Sequence, residues 1–388
     1  MTRRTLATCC ATHTLHDGLS DVSYVLLPLL AQTFGLSLAQ VGLIRSAHRT
    51  AMAAFQIPAG LLAERFGERN LLALGTLAAG CAFVALGYVS GFWAILAVLF
   101  LAGAGSAVQH PLCSTIISRA FPADGRRAAL GTYNFAGDVG KFAFGGAVSL
   151  FLVAGISWQV PVVGFGVAAI LTAAAVLLLV ADARAHSVST TTSVGGWGIR
   201  DRRGFMALCL IEVIDSSTRT GFMTFIAFLL LAKGLPEHWA VLSVPLVLVG
   251  GMAGKLACGL LAERLGIARM IVLTEVATAG GILAALALPS VGAFVLLPLL
   301  GVVLQGTSSV LYATIGEYVE PERLPRAFGF FYTIGSVCGI AAPLGYGLLG
   351  NRYGVQASIA VMGAAILLTL PLALLLAKSS AASKVPSY

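Results

Sequence analysis

Gly60-Leu-Leu-Ala-Glu-Arg-Phe-Gly67 recurs 199 residues further along the chain as Gly259-Leu-Leu-Ala-Glu-Arg-Leu-Gly266. Other residues repeat at an offset of 198 or 199, in the pairs Pro122/Pro321, Arg127/Arg326, Gly131/Gly329 and Gly137/Gly335. Because these matches share almost one offset, we interpret the chain as two copies of one structural unit.

The composition is that of a membrane protein. Of 388 residues, 58% are hydrophobic and 10% are charged, whereas a soluble domain carries about 25% charged residues. This excludes a water-soluble enzyme and a nucleic-acid-binding domain. The seven cysteines are odd in number and form no CxxC, so neither a disulfide framework nor a zinc ribbon is indicated.

Twelve apolar runs are long enough to cross a bilayer, which takes about 20 residues per helix. The predicted spans are 6–34, 38–62, 70–89, 92–118, 128–154, 158–180, 204–232, 238–261, 269–288, 291–318, 326–349 and 354–377. We therefore predict an all-α membrane protein of twelve transmembrane helices in two pseudo-symmetric six-helix bundles. Residues 1–180 form the first bundle, 181–203 a cytoplasmic linker rich in Ser, Thr and Gly, and 204–388 the second bundle.

The basic residues predict the orientation. With the N-terminus in the cytoplasm, 17 of the 24 Lys and Arg residues fall on the cytoplasmic side and two on the outside. Because cytoplasmic loops attract positive charge, we expect a multi-pass protein of the cytoplasmic membrane with both termini inside. The net charge of +8 is thus a topology signal and indicates no nucleic-acid partner.

The repeated stretch resembles the signature loop G-x-x-x-D/E-R-x-G-R-R of the major facilitator superfamily, whose copies lie between helices 2 and 3 and between helices 8 and 9. Glu68 departs from this pattern, as do Ile267 and Ala268 in the second copy. In that family the loop latches the cytoplasmic side, which implies gating roles for Gly60, Glu64, Arg65, Gly67, Arg69, Gly259, Glu263 and Arg264. A narrower similarity, to the fosmidomycin-resistance-like exporters, rests on His13, Asp17, Pro28, Gln109-His110-Pro111, Ser118-Arg119 and Arg127-x-x-x-Gly131.

Charged residues inside the predicted helices indicate a cavity. Nine of them would together cost roughly 20–30 kcal/mol if they faced lipid, namely Asp17, Asp21, Arg45, Arg49, Asp138, Lys141, Glu212, Asp215 and Arg219. They must therefore face a water-accessible interior. The alternative is that they pair with one another only to hold the bundle together.

These positions give two groups of site residues. We predict that substrate is bound by Asp21, Arg45, Arg49, His110, Asn134, Asp138, Lys141, Arg219, Gln305 and Tyr332, and that protons are carried by His13, Asp17, Glu212 and Asp215. We interpret Glu275 as structural. We expect no metal, because His13, His16 and Asp17 lack an evident fourth ligand.

Parallel six-helix repeats are typical of transporters that bind substrate near the bilayer midplane and alternate access. The sequence carries no P-loop and no GxGxxG, so we expect a non-enzymatic secondary transporter, without cofactor and monomeric, that exports a small organic compound against protons. The alternatives are import of an organic anion held by arginines and, in another class, a receptor or assembly factor that transports nothing.

Overall fold

The computed structural model describes residues 2–121, 123–180, 198–320 and 324–382. Within these ranges the chain is α-helical, and its only β-type pairing is one isolated bridge between Ile199 and Val319. The chain divides into two compact units, Met1–Thr190 and Thr191–Tyr388. The predicted all-α class is confirmed. Most of the predicted linker, residues 181–197, lies outside the described residues.

The first unit begins with two long helices and continues with five more in its described residues. They are α1 (Thr2–Phe34), α2 (Leu38–Phe66), α3 (Glu68–Leu86), α4 (Phe92–Ser106), α5 (Gln109–Ala120), α6 (Ala123–Val153) and α7 (Gln159–Leu179). The predicted span 92–118 is interrupted by a turn at Ala107 and Val108, just before the Gln109-His110-Pro111 sequence, and so becomes α4 and α5.

The second unit repeats this order. Its helices are α8 (Arg202–Ala232), α9 (Glu237–Ala240), α10 (Ser243–Leu265), α11 (Ile267–Ala287), α12 (Ser290–Tyr318), α13 (Leu324–Tyr353), α14 (Val355–Ala365) and α15 (Thr369–Ala382), with a 3-10 turn at Ile366–Leu368. The predicted spans 238–261 and 354–377 therefore each consist of more than one helical segment.

Local sequence sets several of these boundaries. Ser37 caps α2, because its side chain accepts a hydrogen bond from the N–H of Gln40 while the Gln40 side chain accepts one from Ser37. Gly67 and Gly266 separate α2 from α3 and α10 from α11 at φ of +82° and +83°. Glycine adopts this left-handed region without steric penalty, which explains why both copies of the repeated stretch end in glycine.

The same helix pairs pack together in each unit. α1 packs against α6 as α8 does against α13, and α2 packs against α4 as α10 does against α12. Likewise α3 packs against α7, and α11 packs against α14 and α15. The two units therefore share an order of helix packing as well as a sequence offset, and this supports the repeat inferred from the sequence.

Nine helical spans of the described residues are long and apolar enough to cross a membrane. Helices α1, α2 and α8 are not among these nine, and they carry most of the interior charged residues predicted from the sequence. The chain is a multi-pass membrane protein, and the count of twelve spans stays a prediction at these three helices.

Candidate functional site: a charged cluster in each unit

Asp17 on α1 is the centre of a buried charged cluster in the first unit. Its Oδ2 lies 3.2 Å from Nε2 of His13 and 3.1 Å from Nζ of Lys141, and its Oδ1 lies 3.4 Å from Nε2 of His110. Lys141 also lies 3.1 Å from Oδ1 of Asp138. Asp17 is 6% exposed, whereas the His110 side chain is 37% exposed. The cluster therefore extends from the interior to accessible surface.

Helix geometry brings these groups together. His13 and Asp17 are one turn apart on α1, Asp138 and Lys141 are one turn apart on α6, and α1 packs against α6. Gly137 permits the approach, since a Cβ there would lie 2.6 Å from Nε2 of His13 and 2.7 Å from Oδ2 of Asp17. Any side chain at this position would displace the pair.

The His13 ring is held by the backbone of α6. Its Nδ1 lies 2.7 Å from the carbonyl oxygen of Tyr133, and because a carbonyl only accepts, Nδ1 carries the hydrogen. In a neutral ring Nε2 would then present its lone pair to the Asp17 carboxylate, so two acceptors would face each other. A proton between the two atoms removes this conflict. The ring also stacks on Tyr133 at 4.0 Å between centroids, which fixes its orientation.

Arg45, a predicted substrate ligand, contacts α1. It is 1% exposed, and its Nη1 donates to Oγ of Ser23 at 2.6 Å and to the carbonyl of Ser20 at 3.1 Å. The guanidinium lies 3.6 Å from the Tyr24 ring centroid, and Nη2 lies 3.9 Å from Oδ1 of Asp21. These contacts hold α1 to α2. A substrate role for Arg45 and Asp21 stays a prediction.

Three other polar residues of the first unit differ in their surroundings. Arg49, one turn after Arg45, is half-buried, and its Nε has no hydrogen-bond partner among the described residues. Asn134 is exposed on α6. His16 is turned away from the Asp17 cluster, because its ring nitrogens lie 2.9 Å from Oγ1 of Thr76 and 3.3 Å from Oγ of Ser106. The neighbouring residues His16 and Asp17 on α1 thus contact two different sets of partners.

In the second unit, α8 carries an acidic counterpart of this cluster. Glu212 and Asp215 are 0% and 1% exposed, and Nη1 of Arg219 lies 3.5 Å from Oδ2 of Asp215. A Cβ at Gly335 on α13 would lie 3.1 Å from Oε1 of Glu212. In the repeat, Glu212 matches His13 and Gly335 matches Gly137, so each unit sets a titratable side chain against a glycine.

The remaining predicted residues of the second unit lie on α12 and α13. The Tyr332 ring is 4.8 Å from the Tyr312 ring, and Tyr332 is 58% exposed. Gln305 packs against α10, since a Cβ at Gly251 would lie 2.6 Å from its Cγ. A substrate role for Gln305 and Tyr332 stays a prediction.

The two copies of the repeated stretch lie at helix ends, away from Asp17 and Asp215. Arg65 and Arg264 are exposed in the last turns of α2 and α10, and Gly60 and Gly259 have open space around them. Arg69 donates from Nε to Oδ1 of Asn70 at 3.3 Å. The side chains of Glu64 and Glu263 lie outside the described part of the structure, so their latch role stays a prediction.

Glu68, which departs from the family pattern, has a partner of its own. Its Oε1 lies 2.6 Å from Nη1 of Arg119, which joins the start of α3 to the end of α5. At an offset of 199 the two positions become Ile267 and Tyr318. The first unit therefore has an ion pair at this end that the second unit replaces by apolar contact.

His13, Asp17 and His110 present ligand atoms within 4.8 Å of one another, close enough to hold a metal ion. The Lys141 ammonium, however, lies 3.1 Å from the same carboxylate, and its charge opposes a divalent cation. The set is therefore a poor site for a divalent metal ion.

Two residues that contribute here were not among the predicted site residues. Tyr133 acts through its backbone carbonyl, for which no side-chain pattern is informative. Glu275 on α11, interpreted from the sequence as structural, is 0% exposed and lies within electrostatic range of Asp215, Arg219 and Glu212. The repeat offered a signal, since Glu275 matches Thr76, the partner of His16.

The chain is similar in sequence and in fold to known membrane transporters. The sequence matches the Major Facilitator Superfamily over residues 10–314 and 208–387. The probable sulfoacetate transporter SauU of Cupriavidus necator is 26% identical over 361 residues, which cover 84% of this chain and 82% of the relative. The 4-hydroxybenzoate transporter PcaK of Pseudomonas putida is 24% identical over 385 residues, 89% and 83% of the two chains. In fold, the chain is similar to a bacterial homolog of the human lysosomal transporter Spinster in an inward-facing and occupied conformation, with a TM-score of 0.83 at 18% identity over 99% and 98% of the two chains.

Proposed function

The chain belongs to the Major Facilitator Superfamily, and we propose that it is a secondary transporter that carries a small organic anion together with a proton by alternating access. The observation that carries this proposal is the convergence of His13, His110 and Lys141 on the Asp17 carboxylate.

A charge count supports the coupling. Electrostatic interactions connect the Asp17 cluster to Asp21, Arg45 and Arg49, which gives three cations and three carboxylates in all, namely Arg45, Arg49, Lys141, Asp17, Asp21 and Asp138. Without added protons the cluster is neutral, and an anion would make it negative. One proton on the His13–Asp17 pair makes it positive, and an anion then restores neutrality. Because net charge in a low-dielectric interior is costly, proton and anion favour each other's binding.

Arg49 is the proposed anion ligand. Its guanidinium offers parallel N–H donors suited to the planar carboxylate, and its Nε has no hydrogen-bond partner among the described residues. Arg45 also has nitrogens without a hydrogen-bond partner among the described residues, Nε and Nη2, but it is 1% exposed and its Nη1 donates to α1, whereas Arg49 is half-buried. We therefore assign anion binding to Arg49 and the support of α1 to Arg45.

The relatives favour the anion alternative over export of a drug-like compound. Sulfoacetate and 4-hydroxybenzoate, the compounds in the names of SauU and PcaK, are both anions of organic acids. An anion that moves with a proton is driven inward by a proton gradient, so we propose uptake. The expected efflux and the similarity to fosmidomycin-resistance-like exporters stay predictions.

The distribution of Lys and Arg supports a place in the cytoplasmic membrane with both termini in the cytoplasm. We propose that a monomer suffices, because both clusters are built from residues of one chain.

A stabilisation series on purified protein tests the anion assignment. 4-Hydroxybenzoate is compared with 4-hydroxybenzamide and 4-hydroxybenzylamine, which have the same ring and differ in charge, and sulfoacetate is included as a sulfonate. A ligand at 100 times its Kd stabilises by about 2.7 kcal/mol. We expect at least one anion to raise the melting temperature, and to do so more at lower pH. If the amine or the amide stabilises and both acids fail, the anion assignment is wrong.

A further inference from the structure

Three carboxylates are buried together in the second unit. Glu212, Asp215 and Glu275 are 0%, 1% and 0% exposed, and neither carboxylate oxygen of Glu212 or Glu275 has a hydrogen-bond partner among the described residues. An ionised carboxylate with no donor in an apolar interior is strongly disfavoured. These unpartnered oxygens therefore need a hydrogen-bond donor.

The repeat predicts that Glu275 lies opposite Asp215. At the offset of 199, Asp215 matches His16 and Glu275 matches Thr76, and in the first unit Nε2 of His16 lies 2.9 Å from Oγ1 of Thr76. The second unit thus has two acids where the first unit has a neutral hydrogen-bonded pair. Two acids can make the same bond only when one of them carries a proton.

The charges around Glu275 point the same way. The charged groups in electrostatic range of Glu275 are Asp215, Glu212 and Arg219, and all three lie on α8. On α12, Tyr312 faces Glu212, and α14 has no ionisable side chain. One guanidinium balances one carboxylate, so full ionisation would leave two uncompensated negative charges in the interior.

We propose that Asp215 and Glu275 share one proton, and that this pair is a proton-binding site of the second unit. The proton is donated by one carboxyl to the other across the pair, and it leaves to water or returns from it without any other co-reactant. Arg219 balances the negative charge of the pair. Two carboxylates that share a site cannot both ionise, so the pair takes up or releases a proton whenever its contact closes or opens. The shared proton itself does not depend on the proposed function, and only its role in driving transport rests on that function.

Infrared difference spectroscopy of the purified full chain, without substrate, tests the shared proton directly. The readout is the carbonyl stretching band of a protonated carboxylic acid, recorded against pH in light and heavy water. We expect Asp215→Asn and Glu275→Gln each to remove the same component of this band, and the double variant to remove no more than either single variant. Glu317→Gln, an exposed glutamate on α12, is the matched control and should leave the band unchanged.

Two results would overturn the proposal: an unchanged band in Glu275→Gln, or losses in the two single variants that add in the double variant. The amide substitutions keep the shape of each side chain, and the melting temperature reports whether they fold. Glu275→Gln should melt at or above the wild-type temperature because it removes a buried ionisable group, whereas Glu275→Ala should melt lower because it leaves a cavity. Since no substrate is present, failure here leaves the anion series unaffected, and failure of that series leaves this band unaffected.

Discussion

Replacing Asp17 by asparagine should separate proton binding from anion binding. In the wild type, Oδ2 of Asp17 lies 3.2 Å from Nε2 of His13, so one proton can be shared between them. In Asp17→Asn the side-chain amide donates to the same nitrogen, so His13 is satisfied as a neutral ring. The cluster then holds three cations and two carboxylates, and it is positive without any added proton.

The expected magnitude follows from linkage. When one proton binds with each anion, affinity falls by about tenfold, or about 1.4 kcal/mol, for each pH unit on the alkaline side of the linked step. In Asp17→Asn that dependence should vanish. Two pH units above the linked step, the variant should therefore bind the anion roughly 100-fold more tightly than the wild type.

The assay is calorimetric titration of the anion that stabilises the purified protein, at several pH values. Asp138→Asn is the matched control, because Asp138 lies at the same 3.1 Å from Lys141 and the substitution changes the charge by the same amount. It should raise affinity at every pH and keep the wild-type slope, since the His13–Asp17 pair remains. A wild-type slope in Asp17→Asn would refute this reasoning.

Five further substitutions separate packing from binding. Gly137→Ala should lower stability by about 1–3 kcal/mol, because overpacking displaces His13, whereas Gly131→Ala, on the same helix with nothing within 4 Å, should raise it by about 0.5–1 kcal/mol; thermal melts measure both. Arg45→Ala should lower the melting temperature because the hydrogen bonds to α1 are lost, whereas Arg49→Ala should lower anion affinity. Thermal melts and calorimetry distinguish these effects, and two variants with the same changes in melting temperature and in affinity would contradict the assignment. Glu68→Ala should lower the stability by about 1 kcal/mol or less, since its arginine partner is one-third exposed. It should leave anion affinity unchanged, because Glu68 lies about two helical turns before Thr76, the residue of α3 that contacts His16 on α1.

Much of the fold could be predicted from the sequence because it depends on periodic features. Apolar runs located the helices, and the repeated glycines at positions 67 and 266 located two turns that require positive φ. The span 92–118 is predicted as one helix, whereas the structure has a turn at Ala107 and Val108. The local cause is Pro111, which has no N–H to donate to the carbonyl of Ala107 four residues earlier, and its position in the sequence indicates a kink there.

The candidate site was predictable in its residue types and less so in its contacts. The cost of charge in lipid indicated that Asp17 and Lys141 lie inside, and the structure brings them within 3.1 Å. The spacing of residues along α1 could not show that His16 faces α3, because a broad polar surface of a helix can contact different neighbours on its two sides. The role of Glu275 depends on its match to Thr76, which emerges only when the repeat is applied to contacts as well as to sequence.

Simultaneous measurement of anion and proton movement tests whether the protein carries the two together. Proteoliposomes with an internal pH-sensitive dye receive the stabilising anion from outside, and liposomes without protein correct for passive entry of the undissociated acid. We predict that the anion enters together with protons, so that the liposome interior acidifies in step with anion uptake. In Asp17→Asn this acidification should disappear. Anion entry with no change of internal pH, or with alkalinisation, would contradict this prediction.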